Sequence, residues 1–316
     1  MQAAIIDRYG PPDVLRYADV EKPVINPDQL LVKVYASSVN PIDWKMRRGM
    51  LKFLTGSQFP LILGFDLAGE VVEVGSRVTR FKLGDAIYAK LAQLVGRAYA
   101  EYAAVSEKVA AHKPTPMSYV EAAAVPLAAM TALQALRDEG HLAVGHRVLI
   151  NGASGGVGTY GVQIAKVLGA AEVVGVCSAR NAELVKRLGC DRAIDYKQQD
   201  FTQGNLKYDI VFDVIGDRSF EDCKRVLQPN AYYITTQPYP TNYFQSFLTL
   251  FLPGQKYKVI LVKSNAEDLI FLKEQIEAGK IRSIVDRTYP LSEAATAHAY
   301  SETERTVGKV VITVAD

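Results

Sequence analysis

The chain has 316 residues, 49% hydrophobic and 22% charged, which suits two globular domains rather than one small core. A net charge of +2 gives no indication of a nucleic-acid partner or of an anionic membrane. Three widely spaced cysteines argue against a disulfide framework and a structural zinc lobe, and no signal peptide or run of ~18 apolar residues is found, so we expect a cytoplasmic protein without a membrane span.

The first 120 residues are rich in predicted strands. Short apolar runs such as LLVKVYAS and AGEVVEVG alternate with the turn signals YGPPD, INPDQ and KLGD. This pattern is typical of a barrel-like β domain.

The rest of the chain alternates strands with longer helical stretches. RVLING, EVVGVCS, YDIVFDVIG and AYYITTQ are apolar runs that each precede a polar or glycine-rich turn, which indicates right-handed crossovers and a parallel sheet of six strands. A helix in EDLIFLKEQIEAGKI ends near Gly279, and the final strand VGKVVITVAD has no helix after it. We therefore expect an α/β protein in which residues 1–124 with 265–316 form a β-barrel domain and residues 125–264 form a doubly wound domain.

The stretch VLINGASGGVGTYGVQIAKVLGA contains a glycine-rich turn between a strand at 148–151 and a helix at about 157–168. With the next strand at 172–176 it forms a βαβ unit whose turn matches the dinucleotide-binding pattern. Exposed N–H groups and the positive helix end would hold a pyrophosphate there. The residues predicted to contact it are Ala153, Ser154, Gly155, Gly156 and Val157. The alternative is that these glycines only let helix and strand pack closely.

The residues after the second strand indicate which dinucleotide is preferred. A site for NADH usually carries an Asp or Glu there for the ribose hydroxyls, whereas this chain has VCSARNAELVK. Ser178 and Arg180, with Lys186 more distant, suit a 2′-phosphate and therefore NADPH. Arg180 is otherwise a solvated surface charge. Tyr196, after the third strand, closes over the adenine or phosphate, or else is a half-buried packing residue.

Over nearly its whole length the chain resembles the medium-chain dehydrogenase/reductase superfamily, and within it the zinc-independent quinone oxidoreductase (zeta-crystallin-like) branch, with the plant chloroplast-envelope and enone reductases. The resemblance rests on motifs in the same order and spacing, including SSVNPIDWKMRRG, FPLILGFDLAGEVVEVG, AAAVPLAAMTALQAL, NGASGGVGTYGVQIAK, YDIVFDVIG and VGKVVITV. It implies a GroES-like barrel built from both chain ends and a Rossmann domain between them.

The resemblance also implies that zinc is absent. Zinc-containing relatives carry a cysteine, a His-Glu pair and a later cysteine as ligands, whereas this chain has Ser37 or Ser38, Phe65 and Asp66 in the corresponding places. A hydroxyl and a phenyl ring do not complete a tetrahedral zinc shell. We therefore expect no metal, and reduction of an already polarised acceptor rather than oxidation of simple alcohols.

The implied reaction is hydride transfer to a quinone or to the β-carbon of an α,β-unsaturated carbonyl. By resemblance, Asn40 and Thr131 lie at the nicotinamide, with turn formation and helix packing as their respective alternatives. Ile215 and Gly216 end the strand YDIVFDVIG beside the cofactor. Asp213, beneath them, is expected to be structural.

The proton donor is left open among Lys45, Tyr99, Tyr102 and water. The segment at 237–255 is aromatic and interrupted by Pro and Gly, so we expect a loop that is either a lid over the nicotinamide or a subunit interface.

Two expectations concern association and class. The run KYKVILVK at 256–263 is predicted to be an edge strand, and exposed edges of this kind favour a homodimer. The alternative to an enzyme is an NADPH-binding structural or regulatory protein with little turnover.

Overall fold

The computed structural model describes residues 1–56 and 58–315, and these form two units. The first unit comprises Met1–Ala128, Ser264–Gly279 and the chain from Ser283 onward, and the second comprises Ala129–Lys263 with Lys280–Arg282. The predicted boundaries fell at residues 124/125 and 264/265, and the short return of the chain at Lys280–Arg282 was not anticipated. Ser57 and Asp316, which belong to the predicted barrel domain, lie outside the described residues.

The first unit is built on two sheets that are antiparallel except for the parallel pair β15–β16. A three-stranded sheet has the order β2–β1–β4, and a larger sheet has the order β15–β16–β3–β5–β6–β8, with β7 paired to β3. The strands are β1 (Gln2–Ile6), β2 (Leu15–Asp19), β3 (Gln29–Val39), β4 (Leu61–Ile62), β5 (Asp66–Val74), β6 (Ala86–Lys90), β7 (Tyr102–Ser106) and β8 (Ala110–His112), together with β15 (Val285–Pro290) and β16 (Lys309–Thr313).

Strand β3 is the centre of the larger sheet because three other strands pair with it. Its first half pairs with β7, its second half pairs with β16, and β5 runs along nearly its whole length. Strand β16 thus returns to the first unit's sheet, which confirms the expectation for the final strand. The helices of this unit are α1 (Pro41–Arg47), α2 (Lys52–Thr55), α3 (Tyr119–Ala123), α9 (Ala266–Glu277) and α10 (Ala294–Ser301), and α4 (Pro126–Gln134) begins in it.

The second unit contains a parallel sheet of six strands, as predicted, and their order is β11–β10–β9–β12–β13–β14. The strands are β9 (Arg147–Asn151), β10 (Glu172–Cys177), β11 (Arg192–Asp195), β12 (Tyr208–Asp213), β13 (Leu227–Thr235) and β14 (Lys256–Val259). The central strands β9, β10 and β12 are almost entirely buried, which explains their continuous apolar sequences. Strand β14 is the edge strand, and it ends at Val259, four residues before the predicted end.

The second unit's helices pack on this sheet. They are α5 (Gly156–Val167), α6 (Ala182–Arg187), α7 (Phe220–Lys224) and α8 (Pro240–Phe251), with a π-helical turn at Ala135–Glu139. Helix α5 follows β9 after a four-residue turn and matches the predicted helix to within one residue. No helix among the described residues is long and apolar enough to cross a membrane.

The segment at 237–255 was expected to be a loop, and this was wrong. It forms the 12-residue helix α8, with Pro240 at its first position. A proline there costs nothing, because its missing N–H would have no intrahelical acceptor and its φ is already helical. Gly254, with a φ of +91°, lies beyond the helix end.

Candidate dinucleotide site and buried polar cluster

The carboxyl ends of the parallel strands form one edge of the second unit. In register, Asn151 at the end of β9 lies opposite Asp213 at the end of β12, and Val176 of β10 lies on its other side. The crossover direction reverses between β9 and β12, and ligands of doubly wound sheets bind at this switch point. All the residues predicted for the cofactor in this unit follow one of these strand ends.

The turn after β9 exposes backbone donors. Gly152 adopts a φ of +86°, and the N–H groups of Gly152 and Ala153 both donate to Val176 O, at 3.1 and 3.0 Å. These bonds hold the turn against β10. Helix α5 then begins at Gly156, and the N–H groups of its first turn, including Val157, have no acceptor within the helix. The turn therefore directs free donors and a positive helix end to one place.

Two glycines of this turn differ in how much space a side chain would have. A Cβ at Gly158 would lie 2.1 Å from Gly152 O, so close packing requires glycine there. A Cβ at Gly155 would meet only Gly152 O, at an ordinary 3.4 Å, and the φ of −81° suits any residue. Packing explains Gly158 but not Gly155, whose open space fits the close approach of a phosphate group to the backbone.

Ser154 is held by a residue that sequence reasoning missed. Asn181, in the single turn after β10, donates from Nδ2 to Ser154 Oγ at 3.0 Å. The bond links the glycine-rich turn to the segment predicted to recognise the ribose. No pattern in the sequence signals this contact, since the two residues are brought together only by the pairing of β9 with β10.

The residues predicted to select the cofactor lie beside this turn. Ser178 directly follows β10 and is half-buried, and Arg180 is exposed. No carboxylate in the described part of the chain forms an ion pair with Arg180. Tyr196 follows β11 and is 53% exposed, so it is not a packing residue of the core. The three side chains are thus available to a ligand at this edge.

Asp213 anchors the end of β12. It is fully buried and accepts hydrogen bonds from Asn151 Nδ2 (2.9 Å), Gly216 N (2.8 Å) and Tyr233 OH (2.8 Å). Burial raises the pKa of its carboxyl, and these three donors act in the opposite direction. Asp213 therefore shapes the loop that carries Ile215 and Gly216, in agreement with the expected structural role.

Gly216 is glycine for a reason within the protein. Its φ is +78°, and a Cβ would lie 2.4 Å from the Gln237 side chain, so clearance for a cofactor is not needed to explain it. Ile215 is half exposed, and its Cδ1 would lie 2.8 Å from a Cβ on Gly152. The loop after β12 thus packs against the glycine-rich turn after β9.

In the first unit, the Asn40 side chain is engaged on every side. Its Nδ2 donates to Asp66 Oδ2 at 2.9 Å and to Ser38 O at 3.5 Å, and its Oδ1 accepts from Lys309 Nζ. It also precedes α1 at the N-cap position. A hydrogen bond from Asn40 to a cofactor or acceptor, which stays a prediction, would require one of these partners to be released.

Asp66 and Lys309 form a buried ion pair in this cluster. Lys309 Nζ lies 3.8 Å from Asp66 Oδ2, with 4% and 0% of the two side chains exposed. Asp66 also accepts from Ser38 Oγ at 2.8 Å, and from Leu127 N at 2.8 Å through its other oxygen. Burial lowers the pKa of Lys309, while Asp66 and Asp43 raise it.

Asp43 and His298 are two further buried titratable groups of the first unit. Asp43 Oδ2 accepts from Asn40 N at 2.7 Å, and burial raises the pKa of this carboxyl to about 7. His298 Nε2 lies 3.2 Å from Tyr99 OH, and burial lowers the pKa of this imidazole to about 3. Tyr99 is completely buried and burial raises its pKa, so it is poorly suited to donate a proton to a bound substrate.

The remaining predicted residues lie on helices and strands of either unit. Lys45 is half-buried on α1, and burial lowers the pKa of its ammonium. Tyr102 begins β7 with Lys22 Nζ 4.0 Å above its ring. Thr131 is buried on the part of α4 that belongs to the second unit. Their roles stay predictions.

The positions of the zinc ligands in metal-containing relatives are taken up by other interactions. Phe65 is buried, Ser37 Oγ donates to Asp66 O at 2.5 Å, and Ser38 binds the Asp66 carboxylate. The described residues contain no group of three or more His, Cys, Asp or Glu side chains arranged for a metal ion. The groups present are hydroxyls, an amide, an ammonium and the Asp66 carboxylate, and one carboxylate without thiolate or imidazole partners does not complete a zinc shell.

The two units and the strand-end site define a class of protein. Residues 26–115 match the alcohol dehydrogenase GroES-like domain family, and residues 188–312 match the zinc-binding dehydrogenase family. The chain belongs to the medium-chain dehydrogenase/reductase superfamily, whose oxidoreductases bind nicotinamide dinucleotides.

Individual relatives are similar over almost the entire chain. The chloroplast envelope quinone oxidoreductase homolog of Arabidopsis thaliana is 36% identical, with 94% of this chain and 93% of that protein covered. The NADPH-dependent alkenal/one oxidoreductase of the same plant is 37% identical, covering 99% and 79%. Among solved structures, the quinone oxidoreductase from Coxiella burnetii superposes with a TM-score of 0.90 at 32% identity, covering 99% of both chains.

Proposed function

We propose that the protein is an NADPH-dependent reductase that transfers hydride to a quinone or to the β-carbon of an α,β-unsaturated carbonyl, without zinc. The observation that carries this proposal is the strand-end site of the second unit, where packing does not explain Gly155 and where Arg180 forms no ion pair with a carboxylate in the described part of the chain. The names of the relatives support the same acceptor classes.

In this proposal the chain's own residues bind the cofactor and orient it. The first-turn N–H groups of α5 bind the pyrophosphate, and Asp213 holds the loop of Ile215 and Gly216 at the adjacent strand end. A reduced nicotinamide supplies the hydride when bound. Two electrons then reach the acceptor with one hydride, and a proton completes its reduction.

Lys45 is our candidate for the proton donor of the reaction. Its half-buried position lowers the pKa of the ammonium, which makes proton release to an enolate or to a hydroquinone anion easier near neutral pH. Tyr102 and water are the other sources, and Lys45→Met separates them. If Lys45 is the donor, this variant lowers kcat for an enone about 100-fold and leaves the affinity for NADPH unchanged.

We further propose that NADPH is preferred to NADH, and that the protein is a cytoplasmic homodimer. Ser178 and Arg180 support the cofactor preference, because an acidic side chain for the ribose diol is replaced by a donor and a cation. Strand β14 supports the homodimer, since its outer backbone groups lie at the sheet edge. Light scattering at micromolar concentration tests the dimer, and a monomer mass would refute it.

The test of function is NADPH consumption by the purified protein over a panel of quinones, alkenals, enones, ketols and furanones. We expect oxidation of NADPH only when an acceptor is present. A protein that enhances NADPH fluorescence on binding but turns over no member of the panel would instead be a structural or regulatory NADPH-binding protein.

A further inference from the structure

The side chain of Asn181 binds a residue that follows a different strand. Asn181 directly precedes α6, and asparagine is preferred at this N-cap position because its side chain can accept from the free N–H groups of the first turn. In this chain the Asn181 side chain makes no such hydrogen bond. Its Nδ2 instead donates to Ser154 Oγ at 3.0 Å, which joins the turn after β10 to the turn after β9. The contact with Ser154 therefore replaces a helix cap.

The backbone on both sides keeps this contact in place. Asn181 N donates to Ser178 O at 2.9 Å, which closes a single turn that also carries Arg180. The glycine-rich turn after β9 is tied to the end of β10 by two backbone hydrogen bonds to Val176 O. The Ser154 hydroxyl therefore lies at the turn that carries Ser178 and Arg180.

The hydrogen bond from Asn181 decides what Ser154 can offer a ligand. A serine hydroxyl has one proton to donate and two lone pairs that accept, and the Asn181 amide occupies a lone pair. In the described part of the chain no acceptor takes the Ser154 proton, and Ser154 is only half-buried. Ser154 therefore presents its O–H group to a ligand at this turn.

The groups at this turn favour a ligand that only accepts hydrogen bonds. Arg180 is an exposed cation, and Ser154 and Ser178 each carry a hydroxyl proton. A phosphate dianion can accept from all three side chains. A ribose 2′-hydroxyl has a proton of its own to donate, and residues 178–182 contain no Asp or Glu to accept it.

We propose that Asn181 is a positioning residue for the choice of cofactor, because it holds the Ser154 hydroxyl as a donor to the 2′-phosphate of NADPH. This inference rests on the proposed NADPH-dependent function and deepens it. It assigns the Ser154 side chain to the 2′-phosphate rather than to the pyrophosphate expected from the sequence. The pyrophosphate is then left to the backbone N–H groups at the start of α5.

A double-mutant cycle in the full chain, with NADPH and NADH as titrants, tests the proposal. Ser154→Ala should weaken NADPH binding about tenfold, and Asn181→Ala about threefold, because the hydroxyl is then free to rotate. Asn181→Ala/Ser154→Ala should bind NADPH as Ser154→Ala does, since Asn181 acts through Ser154. All three variants should bind NADH within about twofold of wild type. Losses of NADPH affinity that add in the double variant overturn the proposal.

An isosteric variant provides a second test. Asn181→Asp removes the amide donor and supplies a carboxylate that accepts the Ser154 proton, so the hydroxyl turns away from the ligand. The ratio of NADPH to NADH affinity should fall at least about 100-fold, but only about tenfold when Asn181→Asp is made in Ser154→Ala. An equal fall in both backgrounds would mean that the new charge acts on the cofactor directly, and the proposal would be wrong.

Matched controls use Asn205, an exposed asparagine of the same unit. Asn205→Ala and Asn205→Asp should leave both affinities unchanged. Because Asn181 does not cap α6, its variants should melt within about two degrees of wild type.

The two levels of the argument fail in different ways. A wild-type protein that binds NADPH no better than NADH overturns this inference together with the proposed NADPH dependence. A wild-type protein that prefers NADPH, with the same preference kept in Ser154→Ala and Asn181→Ala, overturns this inference alone.

Discussion

Lys309 Nζ lies 3.8 Å from Asp66 Oδ2, and the two side chains are buried together in the first unit. Asp66 stands where zinc-containing relatives of the superfamily carry the Glu of their His-Glu pair. In this chain an ammonium from the final strand balances that carboxylate, and Ser38 and Asn40 complete its hydrogen bonds. The cluster is therefore charge-balanced by the protein itself.

Removing one member of this pair should be costly. Lys309→Met leaves a buried carboxylate without its cation and should lower the free energy of unfolding by about 3–5 kcal/mol. Asp66→Asn/Lys309→Met should recover part of this loss, because neither charge is then unpaired. Urea unfolding measures both, and the exposed-lysine control Lys82→Met should stay within about 0.5 kcal/mol of wild type. If Lys309→Met were as stable as wild type, the ion pair between Lys309 and Asp66 would be contradicted.

The two glycines of the strand-end turn should respond differently to substitution. Gly158→Ala places a Cβ 2.1 Å from a carbonyl oxygen and should lower the melting temperature by several degrees. Gly155→Ala has room for its Cβ within the protein and should melt within about two degrees of wild type, yet weaken NADPH binding at least about tenfold. Thermal unfolding and a fluorescence titration separate the effects. Unchanged NADPH affinity in Gly155→Ala would remove this turn from the cofactor site.

Arg180 should control the choice of dinucleotide. A charge-assisted contact contributes about 1.5–3 kcal/mol, so Arg180→Ala should raise the KM for NADPH about 10- to 100-fold and leave that for NADH nearly unchanged. The control Arg187→Ala removes an exposed cation from nearby α6 and should change neither. Equal weakening of both cofactors, or equal use of them by the wild type, would mean that Arg180 is a surface charge.

Asp43 should make stability fall with rising pH. Its pKa is raised to about 7, above the value of about 3.9 in an unfolded chain, so the folded protein binds the proton more tightly. The stability contributed by the protonated form is present below about pH 4 and is lost by about pH 7, at up to ~1.4 kcal/mol per pH unit. Asp43→Asn should gain on wild type over this range in urea unfolding. Parallel curves for the two proteins would contradict the raised pKa.

His298 should act in the opposite direction. Its pKa is lowered to about 3, so the folded protein disfavours protonation and stability falls as pH decreases from about 6.5 toward 3. The two groups partly cancel in wild type between about pH 4 and 6.5. His298→Gln should therefore gain on wild type toward low pH, where Asp43→Asn loses its advantage. If the difference in unfolding free energy between wild type and His298→Gln did not change with pH, the imidazole of His298 would be solvated.

Local sequence patterns predicted the glycine-rich turn between β9 and α5 because its geometry is local, whereas its role in binding a cofactor stays a prediction. Gly152, Gly155 and Gly158 lie within seven residues, and the strands that flank them carry uninterrupted apolar runs. The same approach failed at α8, where Pro238, Pro240 and Gly254 indicated a loop. Proline at the first position of a helix is compatible with it, and outward apolar residues cannot be distinguished from core residues by spacing alone.

The contacts within the buried cluster of the first unit could not be predicted from the sequence, and the reason is different. Asn40 and Lys309 are 269 residues apart, and their contact follows from the pairing of β16 with β3. Lysine on a strand is usually a solvent-facing residue, so Lys309 gave no signal. Asn40 was identified by resemblance alone, and that resemblance did not reveal that its amide is held by Asp66, Ser38 and Lys309.

The position of β16 in the chain sets an order for folding during synthesis. The six strands of the second unit have all been translated by Val259, whereas the first unit's sheet lacks β15 and β16 until residue 313. On the ribosome, the second unit can complete its sheet early. The first unit still lacks the strand that pairs with the second half of β3. Until Lys309 arrives, Asp66 has no cation, so the nascent first unit is the part that should depend on chaperones.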